Sequence, residues 1–225
     1  MSDSVVQELG RLLMRSVVGI DLECKRLLNG VEYGLCNVKR QFREDVAEGF
    51  YPNAPKRKLT EEPATAWLLA KRLPHGLVVQ PEEPYPVNRR KKCDLVVVLK
   101  GGVAVWVEVK FSWKNWFECI NGYKTNSDFI FQDYLLGNHH SHSAAGDFVK
   151  LIELAPASAY LGVLLIGFDS TDAPMNQDIE KLEKQAVGVG WLRGDPQRWK
   201  DRRDPTGRCH INCWFWRHSP RVQSC

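Results

Sequence analysis

Two almost continuous apolar runs, Cys93–Leu99 and Val103–Lys110, meet at Gly101-Gly102 and constrain this chain more than anything else in it. Strands so rich in Val and Leu belong to the interior of a sheet covered on both faces, which requires helices above and below it. Three charged residues interrupt that pattern: Asp94 in the first run, Glu108 and Lys110 in the second. A buried carboxylate or ammonium must be paired or must hold a cation to offset its desolvation. Three of them at one end of a hairpin point to a metal site.

Register determines whether the three can meet. Glu108 and Lys110 are two residues apart, so they share one strand face, and Val107 and Val109 take the other. A two-residue loop at Gly101-Gly102 would set Asp94 opposite Val109, on the wrong face. A three-residue loop, either Lys100–Gly102 or Gly101–Val103, sets Asp94 opposite Glu108 or Lys110. The expectation is therefore an odd loop whose glycine supplies a left-handed backbone position.

The surrounding sequence agrees with a single α/β domain of 225 residues, 44% of them hydrophobic. No apolar run reaches the roughly 20 residues of a membrane span, and the seven cysteines are odd in number and irregularly spaced. The expectation is a cytoplasmic protein with reduced thiols and no membrane association. Residues 4–28 read as one or two helices. Thr60, followed by Glu61, Glu62 and Pro63, opens a further helix running to about Leu73. Strands are expected at 76–80, 93–99, 103–110, 160–168 and 210–216, with helices around 144–154 and around 177–188. This order predicts an α/β/α sandwich with a central mixed sheet, divided into an N-terminal helical extension (1–58), a core (59–168) and a C-terminal basic and aromatic part (169–225).

Net charge, formally +4, does not identify a partner, but its distribution is suggestive. Arg89, Arg90, Lys91 and Lys92 immediately precede Asp94, and residues 193–221 hold eight Lys/Arg against three Asp, with Trp199, Trp214 and Trp216 interleaved. Such mixtures suit a phosphate backbone and stacked bases; a solvated charged face is the plainer alternative.

Two carboxylates, often with a backbone carbonyl, here that of Val109, bind a hard ion such as Mg²⁺ or Mn²⁺. A lysine beside them can orient an attacking water or stabilise developing negative charge. Hydrolysis of a phosphodiester is the chemistry these parts fit. Asp94, followed after a hairpin by Glu108-Val109-Lys110, resembles the PD-(D/E)XK nuclease superfamily over about residues 59–168. The Pro-Asp element of that family stands here as Cys93-Asp94. The resemblance implies a restriction-endonuclease-like fold, a Mg²⁺-dependent nuclease activity with DNA favoured over RNA, and catalytic roles for Asp94, Glu108 and Lys110. It also implies a third carboxylate on the upstream helix. Glu62, in phase with Ala66, Leu69 and Leu73, is preferred to Glu61. On the helix after the motif strand, Asp147 and Lys150 could approach the site, Lys150 as a backbone-binding cation beside Arg89–Lys92. A homodimer would suit cutting of both strands; the rival readings are a nucleic-acid-binding or protein-interaction module without turnover, and an RNA-directed nuclease.

Other constellations carry less. His139, His140 and His142 lie on a Gly137-Asn138 loop, and Cys209 and Cys213 share a strand face with Ile211, away from His210, which makes them core thiols. Trp113, Trp116, Phe117 and Tyr123 are read as core packing rather than a base-stacking platform.

Overall fold

A computed structural model describes residues 3–27, 66, 69–74, 76–114, 135–137, 143–201 and 206–219. In chain order the elements are α1 (Asp3–Leu27), β1 (Val78–Pro84), β2 (Lys92–Val98), β3 (Ala104–Trp113), α2 (Ala144–Leu154), β4 (Tyr160–Ser170), α3 (Asn176–Val187), β5 (Leu192–Arg193), β6 (Gln197–Lys200) and β7 (Cys209–His218). The strands form one mixed sheet in the order β1-β2-β3-β4-β7-β5, with β6 also paired to β7. Strands β1, β2 and β3 form an antiparallel meander, β4 runs parallel to β3, and β7 returns antiparallel to β4. A parallel neighbour requires a crossover, and α2 lies in the connection that makes it.

Alternation along the strands separates two cores. On one face, Leu95, Val97, Val105, Val107, Val109 and Phe111 pack with Val6, Leu9, Leu13 and Val17 of α1. On the other, Val96, Trp106, Val163, Leu165, Trp214 and Trp216 pack with Phe148 and Leu151 of α2 and Ile179 and Leu182 of α3. The helix-on-both-faces architecture expected from the apolar runs is present.

Close approach of α1 to the sheet depends on two glycines. A Cβ built on Gly10 would overlap the Phe215 ring, and one on Gly162 would lie 2.7 Å from it, so Phe215 fills the space both positions leave. The start of α2 is fixed by Ser143, whose Oγ accepts the Gly146 N–H at 3.0 Å. For α3 the cap comes from outside the helix: Asp169 on β4 accepts the Met175 N–H at 3.0 Å.

Several expectations change in detail. Of the one or two helices expected over 4–28, the described residues form one, 25 residues long. Strand β1 extends to Pro84, beyond the expected 76–80. Two short strands, β5 and β6, were not expected; they are two and four residues long, too short for alternation to mark them in the sequence. Trp214 and Trp216 are core residues, Trp216 edge-on to Phe148 at 5.6 Å, so the basic and aromatic segment offers neither ring to a base. Cys209 and Cys213 are buried with Ile211, as expected. Among the described residues no helix is long and apolar enough to cross a membrane.

Candidate functional site

The hairpin has the odd loop. Leu99 donates its N–H to Val103 at 2.8 Å, Gly102 donates to Leu99 at 3.1 Å, and Lys100–Gly102 form the three-residue connection. Gly101 and Gly102 adopt φ of +94° and +79°, which any side chain would resist. The resulting register pairs Leu95 with Val107 and Val98 with Ala104, so one step further Asp94 comes level with Glu108. Asp94 Oδ2 accepts the Val109 N–H at 2.8 Å, a bond just past the last paired residues of β2 and β3. In a strand the carbonyl of a residue points to the same side as its N–H, so the Val109 carbonyl faces this side as well.

Helix α2 supplies two more charged groups to the same face. Lys150 Nζ lies 2.9 Å from Glu108 Oε2 and 2.9 Å from Asp147 Oδ1, and Lys110 Nζ lies 3.4 Å from Asp147 Oδ2. Asp147 and Lys150 are one helical turn apart, which lets both reach the sheet together. Glu108 is 3% exposed, and its second oxygen, Oε1, accepts a hydrogen bond from the buried Tyr85 hydroxyl. Asp94, Glu108, Lys110, Asp147 and Lys150 thus form one cluster, with Tyr85 closing it from the start of the β1–β2 loop.

Burial dominates the electrostatics. It raises the Glu108 pKa well above the carboxylate range, with the charges of Asp94 and Asp147 adding to it against the pull of Lys150 and Tyr85. Burial likewise raises Asp94, although Lys150, the Val109 N–H, Glu108 and Lys110 all oppose it. For Lys150, burial alone would favour the neutral amine; Asp147, Glu108 and Asp94 overcome that and hold the ammonium more firmly charged than usual. The two raised carboxylates are neighbours on adjacent strands, the arrangement in which a pair retains a proton unless a cation neutralises it.

The donors suit a hard cation. Asp94 and Glu108 are oxygen ligands, and the ammonium held between Glu108 and Asp147 demonstrates that this pocket favours positive charge. Among the described residues no three His, Cys, Asp or Glu side chains converge closely enough to hold an ion alone. Two carboxylates supplemented by the Val109 carbonyl and water are nevertheless a usual Mg²⁺ arrangement, because that ion keeps several waters.

The remaining sequence-derived candidates fall in different places. Arg89, Arg90 and Lys91 on the β1–β2 loop and Lys92 at the start of β2 are all exposed, with Lys92 3.7 Å from Glu82. Lys150 is engaged by carboxylates inside the cluster, and holding a nucleic-acid backbone would require those bonds to open. Glu61 and Glu62 lie outside the described residues, as do His139, His140, His142, Trp116, Phe117 and Tyr123. Ala66, Leu69 and Leu73, the residues in phase with Glu62, pack into the core shared with α1, beneath the sheet face opposite Glu108. Tyr85 has no signal of its own in the sequence: in Pro84-Tyr85-Pro86 it reads as loop punctuation, and its partner is 23 residues away.

No protein-family model matches the chain, and neither a curated protein nor a solved structure resembles it significantly.

Proposed function

We propose that this protein is a divalent-metal-dependent nuclease on a restriction-endonuclease-like fold, acting on nucleic acid and preferentially on DNA. The observation that carries the reading is the three-residue hairpin loop, whose register brings Asp94 level with Glu108, on the face that also carries Lys110. An α/β fold with an open mixed sheet is compatible with that family without requiring it.

In this reading Asp94, Glu108 and the Val109 carbonyl hold the ion. Bound there, Mg²⁺ or Mn²⁺ would supply Lewis-acid charge and a water of lowered pKa. Lys110, fixed by Asp147 on the same face, stabilises negative charge developing on the phosphate and orients the attacking water. Arg89–Lys92, exposed beside the site, hold the backbone. Glu62 lies outside the described residues and is given no step.

A second reading, a binding module without turnover, draws on Lys150. Its ammonium already neutralises Glu108 and Asp147, which leaves an ion less charge to satisfy. Incubation of plasmid, single-stranded DNA and RNA with the protein, with and without Mg²⁺ or Mn²⁺, separates the two. Metal-dependent cutting that disappears in Asp94→Asn and Lys110→Ala supports the nuclease. Salt-sensitive binding with no cutting of any substrate supports the module.

A further inference from the structure

Tyr85 is the residue of this cluster that no motif announces. Pro84 ends β1, and Tyr85 turns inward while Pro86, Val87, Arg89 and Arg90 remain exposed. Its side chain is fully buried, and its ring lies 5.3 Å from that of Trp106 at an interplanar angle of 24°. Trp106 precedes Glu108 by two residues on the same face of β3, so the surface that locates the phenol belongs to the strand that carries the carboxylate. The hydroxyl donates to Glu108 Oε1. The Tyr85 main chain is tied equally firmly: its N–H donates to the Lys91 carbonyl at 3.0 Å, closing the loop that carries the basic run.

We propose that Tyr85 is a positioning residue whose hydroxyl fixes the Glu108 carboxylate for a divalent cation, and whose main chain joins that carboxylate to the basic loop. The proposal rests on the reading of Asp94 and Glu108 as cation ligands. A carboxylate at the end of a Glu side chain rotates about a soft terminal torsion; a buried donor on one oxygen selects one orientation. With Oε1 held by Tyr85, Oε2 is the oxygen turned toward Lys150 and Asp147, where the pocket accepts positive charge. Outer partners of this kind typically contribute about 10- to 100-fold in metal affinity.

The alternative is that Tyr85 is a core aromatic whose hydroxyl needed a partner. Calorimetric titration of the full chain with Mn²⁺ distinguishes them, using wild type and Tyr85→Phe, with folding checked by circular dichroism. Tyr85→Phe keeps the ring on Trp106 and is expected to remain folded and to bind Mn²⁺ about 10- to 100-fold more weakly. Folded Tyr85→Phe binding within twofold of wild type overturns the positioning role and leaves the cation reading intact. Failure of wild type to bind Mn²⁺ overturns the cation reading and the inference with it. If Tyr85→Phe does not fold, the near-ultraviolet tyrosine difference spectrum of wild type on adding Mg²⁺ takes its place. A spectrum abolished in Asp94→Asn upholds the role, and no spectrum in wild type overturns it.

Discussion

Glu108 shows what a site of this kind costs the fold. Its carboxyl is buried, flanked by Asp94 and Asp147, and its pKa is raised. The folded protein therefore holds that proton more tightly than the unfolded chain does. Above the ordinary carboxyl range, stability falls as pH rises, until the raised folded-state value is passed. Glu108→Gln keeps an acceptor for Tyr85 and removes the buried charge. In the presence of a chelator it is expected to raise the melting temperature by a few degrees, roughly 1 kcal/mol in a domain of this size, at neutral pH. The gain should shrink toward pH 4, where wild-type Glu108 is itself protonated when folded. Scanning calorimetry across that range checks this, and a lower melting temperature at pH 7 would mean that Lys150 outweighs desolvation. Lys110→Ala is expected to lower the turnover of any metal-dependent cleavage about 10²- to 10³-fold, with KM much less affected. At this scale the sequence was informative where a charge broke an apolar run, as at Asp94, Glu108 and Lys110. It was silent at Tyr85, whose role depends on a contact with a distant strand.

At the level of elements, the hairpin loop and the α1 contact make opposite demands on glycine. Gly101 and Gly102 have no atoms within 4 Å of an added Cβ, so substitution there meets backbone strain and no clash. Gly101→Ala should cost about 1 kcal/mol in urea unfolding, from the positive φ alone. Gly10 lies inside α1, where Gly→Ala ordinarily stabilises a helix by about 1 kcal/mol. Here the new methyl would meet the Phe215 ring, and Gly10→Ala is expected to be net destabilising, by about 1–3 kcal/mol of overpacking less that gain. A stabilised Gly10→Ala would show that α1 can lift from the sheet freely. Helix α2 was legible: it was expected around 144–154 and spans Ala144–Leu154, with Ser143 capping its start. Strands β5 and β6 were not, since strands of two and four residues, both paired with β7, are too short for a period-2 pattern to stand out.

Over the whole molecule, the distribution of charge matters more than its total. The C-terminal basic segment looked like a stacking and phosphate surface, but Trp214 and Trp216 are buried and three of its arginines face carboxylates: Arg193 with Glu183, Arg198 with Asp169 and Arg208 with Asp172. Periodicity could not reveal this, because the partners lie on β4, α3 and the turn between them. The β1–β2 loop differs: Arg89, Arg90 and Lys91 are exposed, and the loop beneath them is held by the Tyr85 to Lys91 and Lys91 to Asn88 bonds. If nucleic acid meets the protein there, neutralised phosphates release counterions, and binding weakens with salt in proportion to their number. Replacing Arg89, Arg90 and Lys91 together by Ala should therefore lower affinity for a short duplex and reduce the salt slope by about 3, one for each phosphate no longer neutralised. The melting temperature should hardly move, since exposed side chains away from buried neighbours contribute little. Fluorescence anisotropy at several salt concentrations, with a chelator present to prevent cutting, measures the affinity and the slope. An unchanged slope would remove the loop from the binding surface and shift attention to the C-terminal arginines, whose carboxylate partners would then have to yield them to the phosphates.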